Sequence, residues 1–269
     1  MRKITLALLL LFVSSALFAH DTWVLPDNFS IAPGSKATLE LTSGMKFPAL
    51  ETGPKRVRVQ SAQYRLAGET VPITEIAESK EALRFVAQPA AAGVATLWVV
   101  FPAKEIELQP AQVQEYLDEI AAPEKIRKEW AEMKKPGRWR ELYTKHPNTF
   151  LRVGVPEGDR SWADPVGQEL EIIPEKDPTG LQVGDELPVR ILKSGAPYKD
   201  FALNAVAAGE TKGETRKTDS EGRVVFRFDR AGPWLLRGTD VRKSTKPDAD
   251  WESDFTTLTL QVKKGEGDE

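Results

Sequence analysis

Residues 217–228, KTDSEGRVVFRF, alternate between apolar and polar side chains once a turn is passed. Val224, Phe226 and Phe228 would fill one face, with Arg223, Arg227 and Asp229 largely on the other. That period of two belongs to a strand with one buried side. Asp219 and Gly222 supply the tight turn before it, and Gly222 is expected at positive φ or in a bulge. The pattern recurs in SKATLELTSG through Ala37, Leu39 and Leu41, and in KRVRVQSAQYRL through Val57 and Val59. ALRFVAQ, GVATLWVVFP, TFLRVGV, QELEIIP, DELPVRIL, DFALNAVAAG, GPWLLRGT and FTTLTLQVK are further short runs divided by Gly and Pro. Such runs predict an all-β chain of two β-sandwich domains, Ig-like or Greek-key. The chain has no cysteine, so core burial rather than disulfides must stabilise it. A hydrophobic content of 41% is enough for that.

One segment breaks the alternation. PAQVQEYLDEIAAP places Val113, Tyr116, Leu117 and Ile120 on one helical face, ended before Pro123. Ile126, Trp130 and Met133 repeat the period, and RWRELYTKHP puts Trp139, Leu142, Tyr143 and His146 on one side. A helical insertion is therefore expected at about 109–145, with Tyr116, Leu117, Ile120, Trp130 and Trp139 packed inward. The domains expected are 20–160, carrying the insertion, and 161–264, with a disordered acidic tail at 265–269.

Residues 1–19 read as a signal peptide. Arg2 and Lys3 precede the apolar run ITLALLLLFV and the small-residue stretch SSALFA. Cleavage fits after Ala16 or after Ala19. The apolar run is too short for a membrane span, and the mature chain is expected to have none. The periplasm is the expected compartment. The formal charge is −3, or −5 once Arg2 and Lys3 leave with the leader. The one basic region, around KIRKEW and KKPGRWR, is interleaved with Glu129, Glu132 and Glu141. A nucleic-acid partner is not expected from this balance.

Several stretches carry a family resemblance in order: AHDTWVLP, VQEYLDEI, RELYTKHPNTFLRVG, ELEIIPEKDPTGLQVGDELPVRILKSGAPYKDFALNAV and TDSEGRVVFRFDRAGPWLLR. The chain resembles a bacterial exported family of unknown function described as NikM-like. The C-terminal stretch also resembles carboxypeptidase-regulatory-like and transthyretin-like sandwiches. The resemblance implies an extracytoplasmic β-sandwich protein linked to nickel or cobalt uptake as a periplasmic accessory; the partner expected is a metal permease or another periplasmic protein.

The residues mark no catalytic machinery. There is no Cys nucleophile, G-x-S-x-G elbow, H-E-x-x-H or G-x-x-x-x-G-K-[ST]. Asp248, Asp250, Glu252 and Asp254 alternate in KPDADWESDF and could share calcium, but the loop lacks the glycine of an EF-hand and reads as a solvated acidic loop. Trp23, Trp98, Trp234 and Trp251 sit in apolar runs, where core packing is the expected use rather than a sugar platform.

His20 and His146 are the two imidazoles. Cleavage after Ala19 would give His20 a free α-amine beside its ring. The two donors titrate at about 8 and about 6.5, so neither is costly to deprotonate. Nitrogen-rich sites bind copper(II) most tightly among first-row divalent ions, with nickel(II) below it. The metal set expected is His20 through amine and Nδ1, His146 as third ligand, and Asp21 as carboxylate ligand or outer partner. It requires residue 20 to reach the end of the insertion. The leading expectation is a non-enzymatic periplasmic protein that binds or helps take up copper, nickel or cobalt. The alternative is a structural or adhesion-type module that binds protein or glycan without metal. A copper oxidase of the histidine-brace kind is a third class.

Overall fold

The computed structural model describes residues 20–133, 137–156 and 158–265. The leader expected at 1–19, with its cleavage site, lies outside these residues, as does the tail beyond Gly265. The first strands are β1 (Asp21–Pro26), β2 (Ser30–Ile31), β3 (Ala37–Gly44), β4 (Ser61–Leu66), β5 (Glu69–Pro72), β6 (Glu75–Glu78), β7 (Leu83–Ala87), β8 (Gly93–Val100) and β9 (Lys104–Leu108). Helices α1 (Pro110–Glu119) and α2 (Glu124–Ala131) precede β10 (Trp139–Val153). The chain continues through β11 (Leu170–Pro174), β12 (Glu186–Lys193), β13 (Ala196–Pro197), β14 (Ala202–Ala207), β15 (Glu214–Lys217), β16 (Arg223–Arg227), β17 (Gly232–Lys243) and β18 (Trp251–Val262). Neither helix is long and apolar enough to cross a membrane.

Three sheets form. The middle one runs β15-β14-β17-β18-β10-β8-β4-β5, with β2 and β9 also paired to β10. The outer sheets are β1-β3-β7-β6 and β11-β12-β13, the latter with β16 on β12. Alternate residues along the middle strands separate two cores. Leu151 and Val153 pack with Leu39, Phe85 and Leu97. Phe150, Leu258 and Leu260 pack with Ile172, Val189 and Phe226. Because strand side chains alternate, the two outer sheets cover opposite faces of the middle sheet. The expected all-β chain of two sandwiches with a helical insertion is present, and the sandwiches share one sheet. The boundary expected at 160 falls between β10 and β11, and the middle sheet holds strands from both sides of it.

The insertion is shorter than expected. Residues 110–131 hold both helices, whereas 139–145, expected to be helical, are the first half of β10. The apolar spacing that suggested a helix arises because the covered face of this stretch mixes Trp139 and Tyr143 with Glu141 and Lys145 while Leu142 stands on the other face, which hides its period of two. Pro147 is tolerated inside it because β9 pairs only Trp139–Tyr143 and β8 only Phe150–Val153, leaving one neighbour, β18, at Pro147. The four tryptophans named above are all buried, which meets the core expectation.

α1 docks through Val113, Tyr116 and Leu117 onto Trp139 and Trp251, whose rings stack 4.3 Å apart. Under them lies Glu141, 1% exposed. Its carboxylate accepts from the Tyr116 hydroxyl at 2.8 Å to each oxygen, from the Trp139 indole N–H and from the Ser253 hydroxyl. Burial pushes its pKa up, and the three donors pull against that. The carboxylate thereby ties α1, β10 and β18 together.

Two substitutions test this framework. Gly222 has φ +72°, and a Cβ there would stand 2.6 Å from the Ile191 carbonyl oxygen. Gly222→Val should cost roughly 2 kcal/mol or more in urea unfolding; an unchanged midpoint would contradict the turn. Glu141→Ala strands three buried donors and should cost about 3 kcal/mol or more. A loss below about 1 kcal/mol would show that water satisfies them.

Candidate functional site

β1 edges its sheet and crosses the face of β10 and β18. The Thr257 hydroxyl donates to the Thr22 carbonyl at 2.6 Å, and the Thr259 hydroxyl donates to that of Val24. Trp23 drives in beside Phe47, ring edge to face at 5.6 Å. These contacts bring His20 and Asp21 over the middle sheet. The Lys145 ammonium donates to the His20 carbonyl at 2.7 Å and to the Thr22 hydroxyl at 2.9 Å. Arg237 on β17 pairs with the Asp21 carboxylate and donates to Asn204 Oδ1 at 3.2 Å.

A cleft of about 290 Å3 opens here, lined by Asp21, Glu119, Asn204, Arg237, Thr239 and Phe255 among others. Several groups around it are displaced from their ordinary pKa values. Glu119, at the end of α1, is pushed from 4.5 to about 7 by burial first and the Asp21 carboxylate second, with Arg237 opposing. Burial pulls Lys145 from 10.5 to about 8 against the attraction of Asp21. The His20 imidazole is lowered by burial and then by Lys145, with Glu51 and Asp21 opposing. Clustered shifts in a cleft mark a candidate site.

His146 lies elsewhere. Lys145 points toward β1, so the next residue along the strand points to the opposite face. There His146 Nε2 meets Asp254 Oδ1 at 2.8 Å, and both side chains are buried. Burial pushes Asp254 up, but the hydrogen bonds and charges of His146 and Arg242 outweigh it and hold the carboxyl below its ordinary value. Arg242 also pairs with Asp240, which accepts from the Tyr198 hydroxyl and pairs with Lys193.

The expected set His20, Asp21 and His146 is therefore split. His20 and Asp21 are neighbours over one face, and the thickness of the sheet separates them from His146. Asp21 is already neutralised by Arg237, and a protein ammonium sits against His20. These residues as placed do not fit one shared metal centre. Among the described residues no group of three or more His, Cys, Asp or Glu is placed to hold a metal ion. The acidic run is likewise dispersed: Asp250 pairs with Arg140, Glu252 with Arg242 and Lys246, and Asp254 with His146 and Arg242.

Glu119 and Arg237 line the cleft, Lys145 holds the start of β1 beside it, and the sequence pattern marked none of the three. Glu119 ends an amphipathic helix and reads as one more solvent-side carboxylate, and Lys145 falls in a stretch with helical spacing. Only their meeting with Asp21 across four elements distinguishes them.

The raised pKa of Glu119 sets a pH dependence. The folded protein holds this proton more tightly than the unfolded chain, so its stabilising effect is complete below 4.5 and is lost as pH rises through about 7. Glu119→Gln removes the titration. The Tm of the variant should gain on wild type between about pH 5 and about pH 8. A Tm difference constant across that window would contradict it.

The family model described as Domain of unknown function (DUF4198) matches residues 17–239. No curated protein matches the chain. Solved structures similar to it include the D0-D1 domain of Intimin, 11% identical with a TM-score of 0.23, covering 89% of this chain and 97% of that one. The adhesin InvE of Yersinia pseudotuberculosis is 12% identical with a TM-score of 0.25, covering 90% and 58%. The Escherichia coli adhesin FdeC is 12% identical with a TM-score of 0.23, covering 90% and 63%. Similarity this low carries neither fold nor activity to this chain. The family match spans most of the 269 residues, and on it the chain belongs to the DUF4198 family.

Proposed function

We propose that the chain is an exported, non-enzymatic β-sandwich module that binds an extracytoplasmic protein or glycan without a metal ion. One observation carries the metal-free part: where a cation would be bound beside β1, two protein cations already stand. Arg237 holds the Asp21 carboxylate, and Lys145 holds the His20 carbonyl. A divalent ion there would have to displace or oppose both charges. The leader pattern of residues 1–19 supports export. The cleft supports noncovalent binding, because its rim mixes amide, hydroxyl and charged groups from Asn204, Thr239 and Glu119 with the Phe255 ring.

A second reading is a copper, nickel or cobalt site at the start of the mature chain, serving a metal permease. Its specific support is that burial and Lys145 lower the His20 imidazole pKa, which favours the neutral form a metal needs. In this reading the chelate uses the His20 amine and Nδ1 alone, since His146 faces the other way.

Titrating the secreted protein with copper(II), nickel(II) and cobalt(II), after mass spectrometry has defined its N-terminus, separates the two. The metal-free reading expects no stoichiometric uptake and no rise in Tm. Uptake lost both in His20→Ala and on adding one N-terminal residue would overturn it in favour of the chelate. Uptake surviving both changes would place the metal elsewhere and overturn both readings.

A further inference from the structure

A larger cleft, of about 450 Å3, lies at the seam between the two halves, away from the Asp21 cleft. That volume falls in the range of small-molecule sites, about 300–1,000 Å3. Its apolar surface comes from Leu25, Phe29, Phe150, Pro178, Pro233 and Leu260, which reach it from strand ends and loops of both halves. The walls are held in place by their own hydrogen bonds. Asn28 Oδ1 accepts from the Ser30 N–H at 2.9 Å, and the Phe29 carbonyl accepts from the Arg152 N–H at 2.9 Å. On the other side Asp177 Oδ1 accepts from the Thr179 N–H at 2.8 Å and its hydroxyl at 2.6 Å, while Arg152 donates to Asp177 Oδ2 at 3.0 Å. A cleft built this way loses little entropy when a ligand enters.

Two charged residues also line this apolar cleft, Asp27 and Lys263. Their backbones are fixed, Asp27 N–H donating to the Thr38 carbonyl at 3.0 Å and Lys263 N–H to that of Leu181 at 2.8 Å. Their side chains are exposed and form no ion pair with each other or with any other described residue. This sets them apart from the charges of the other cleft, where Asp21 and Arg237 are paired to each other. A wholly apolar ligand would gain nothing from either charge. A ligand with one charge would leave the other uncompensated.

We propose that this seam cleft binds a small zwitterion with an apolar body, the chemistry of an apolar α-amino acid. The ammonium meets Asp27, the carboxylate meets Lys263, and the apolar body lies against Phe29, Phe150 and Leu260. The opposite charges orient the ligand, and the apolar floor supplies affinity. This site is independent of the partner-binding reading above and involves neither its cleft nor His20.

The test is calorimetric titration of the secreted chain with L-phenylalanine, 3-phenylpropanoate, which lacks the ammonium, and phenethylamine, which lacks the carboxylate. L-phenylalanine should saturate the protein, and each analogue should bind roughly two- to fivefold more weakly, the size of an exposed ion pair. Asp27→Asn should remove the preference over 3-phenylpropanoate while keeping that over phenethylamine, and Lys263→Met should do the reverse. Ser30→Trp, with a melt confirming its fold, should block all three. No saturation of the wild type up to about 10 mM L-phenylalanine would overturn the proposal. Equal binding of 3-phenylpropanoate would overturn the zwitterion, and preferences unchanged in both charge variants would overturn the placement.

Discussion

β10 and β18 run parallel from Glu141 beside Trp251 to Thr149 beside Thr259, and nearly everything else hangs on that ladder. A parallel pair cannot be closed by a tight turn. Here the connection between the two strands is the whole second sandwich. The pairing therefore makes one middle sheet out of strands from both halves, and each outer sheet finds its core on one side of it. At one end the ladder carries the buried Glu141 carboxylate, which binds the helical insertion to the same two strands. Further along, Thr257 and Thr259 hold β1 down across it.

The shared sheet also decides where chemistry can happen. Residues one apart on β10 face different compartments, so Lys145 holds the start of β1 while His146 belongs to a hydrogen-bonded network with Asp254 and Arg242. Burial of these polar groups is costly unless each is paired. The chain meets that cost by linking them: Arg242 bridges Asp240 and Asp254, and Arg237 bridges Asp21 and Asn204. Such links hold strands in register across the middle sheet. Glu119 stands apart, since its proton rather than a hydrogen-bonded partner offsets its burial near pH 7.

Strands with one wet face were legible from the pattern alone. Arg223–Arg227 alternates exposed and buried, with Val224 and Phe226 inward as expected, and the turn before it places Gly222 at positive φ. The first helix was legible too, because Val113, Tyr116 and Leu117 recur at helical spacing and are buried. The start of β10 was not. Trp139, Glu141, Tyr143 and Lys145 share one face, but that face is covered by the insertion and by β1, so polarity does not mark it. Of the site residues, His20 and Asp21 were visible as a terminal pair, whereas Glu119, Lys145 and Arg237 have no local signature.

The sequence by itself determined the all-β class, the presence of a helical insertion and the dependence on burial in a chain without cysteine. Those properties follow from periodicity and composition, which are local. Only the tertiary structure decided that the two sandwiches share a sheet, that the two histidines face apart, and that Asp21 is paired with a residue 216 positions away. Strand order and facing are set by which distant segments pair. A shift of one residue in β10 would exchange the places of Lys145 and His146, and the sequence of β10 read alone does not encode which side meets β1.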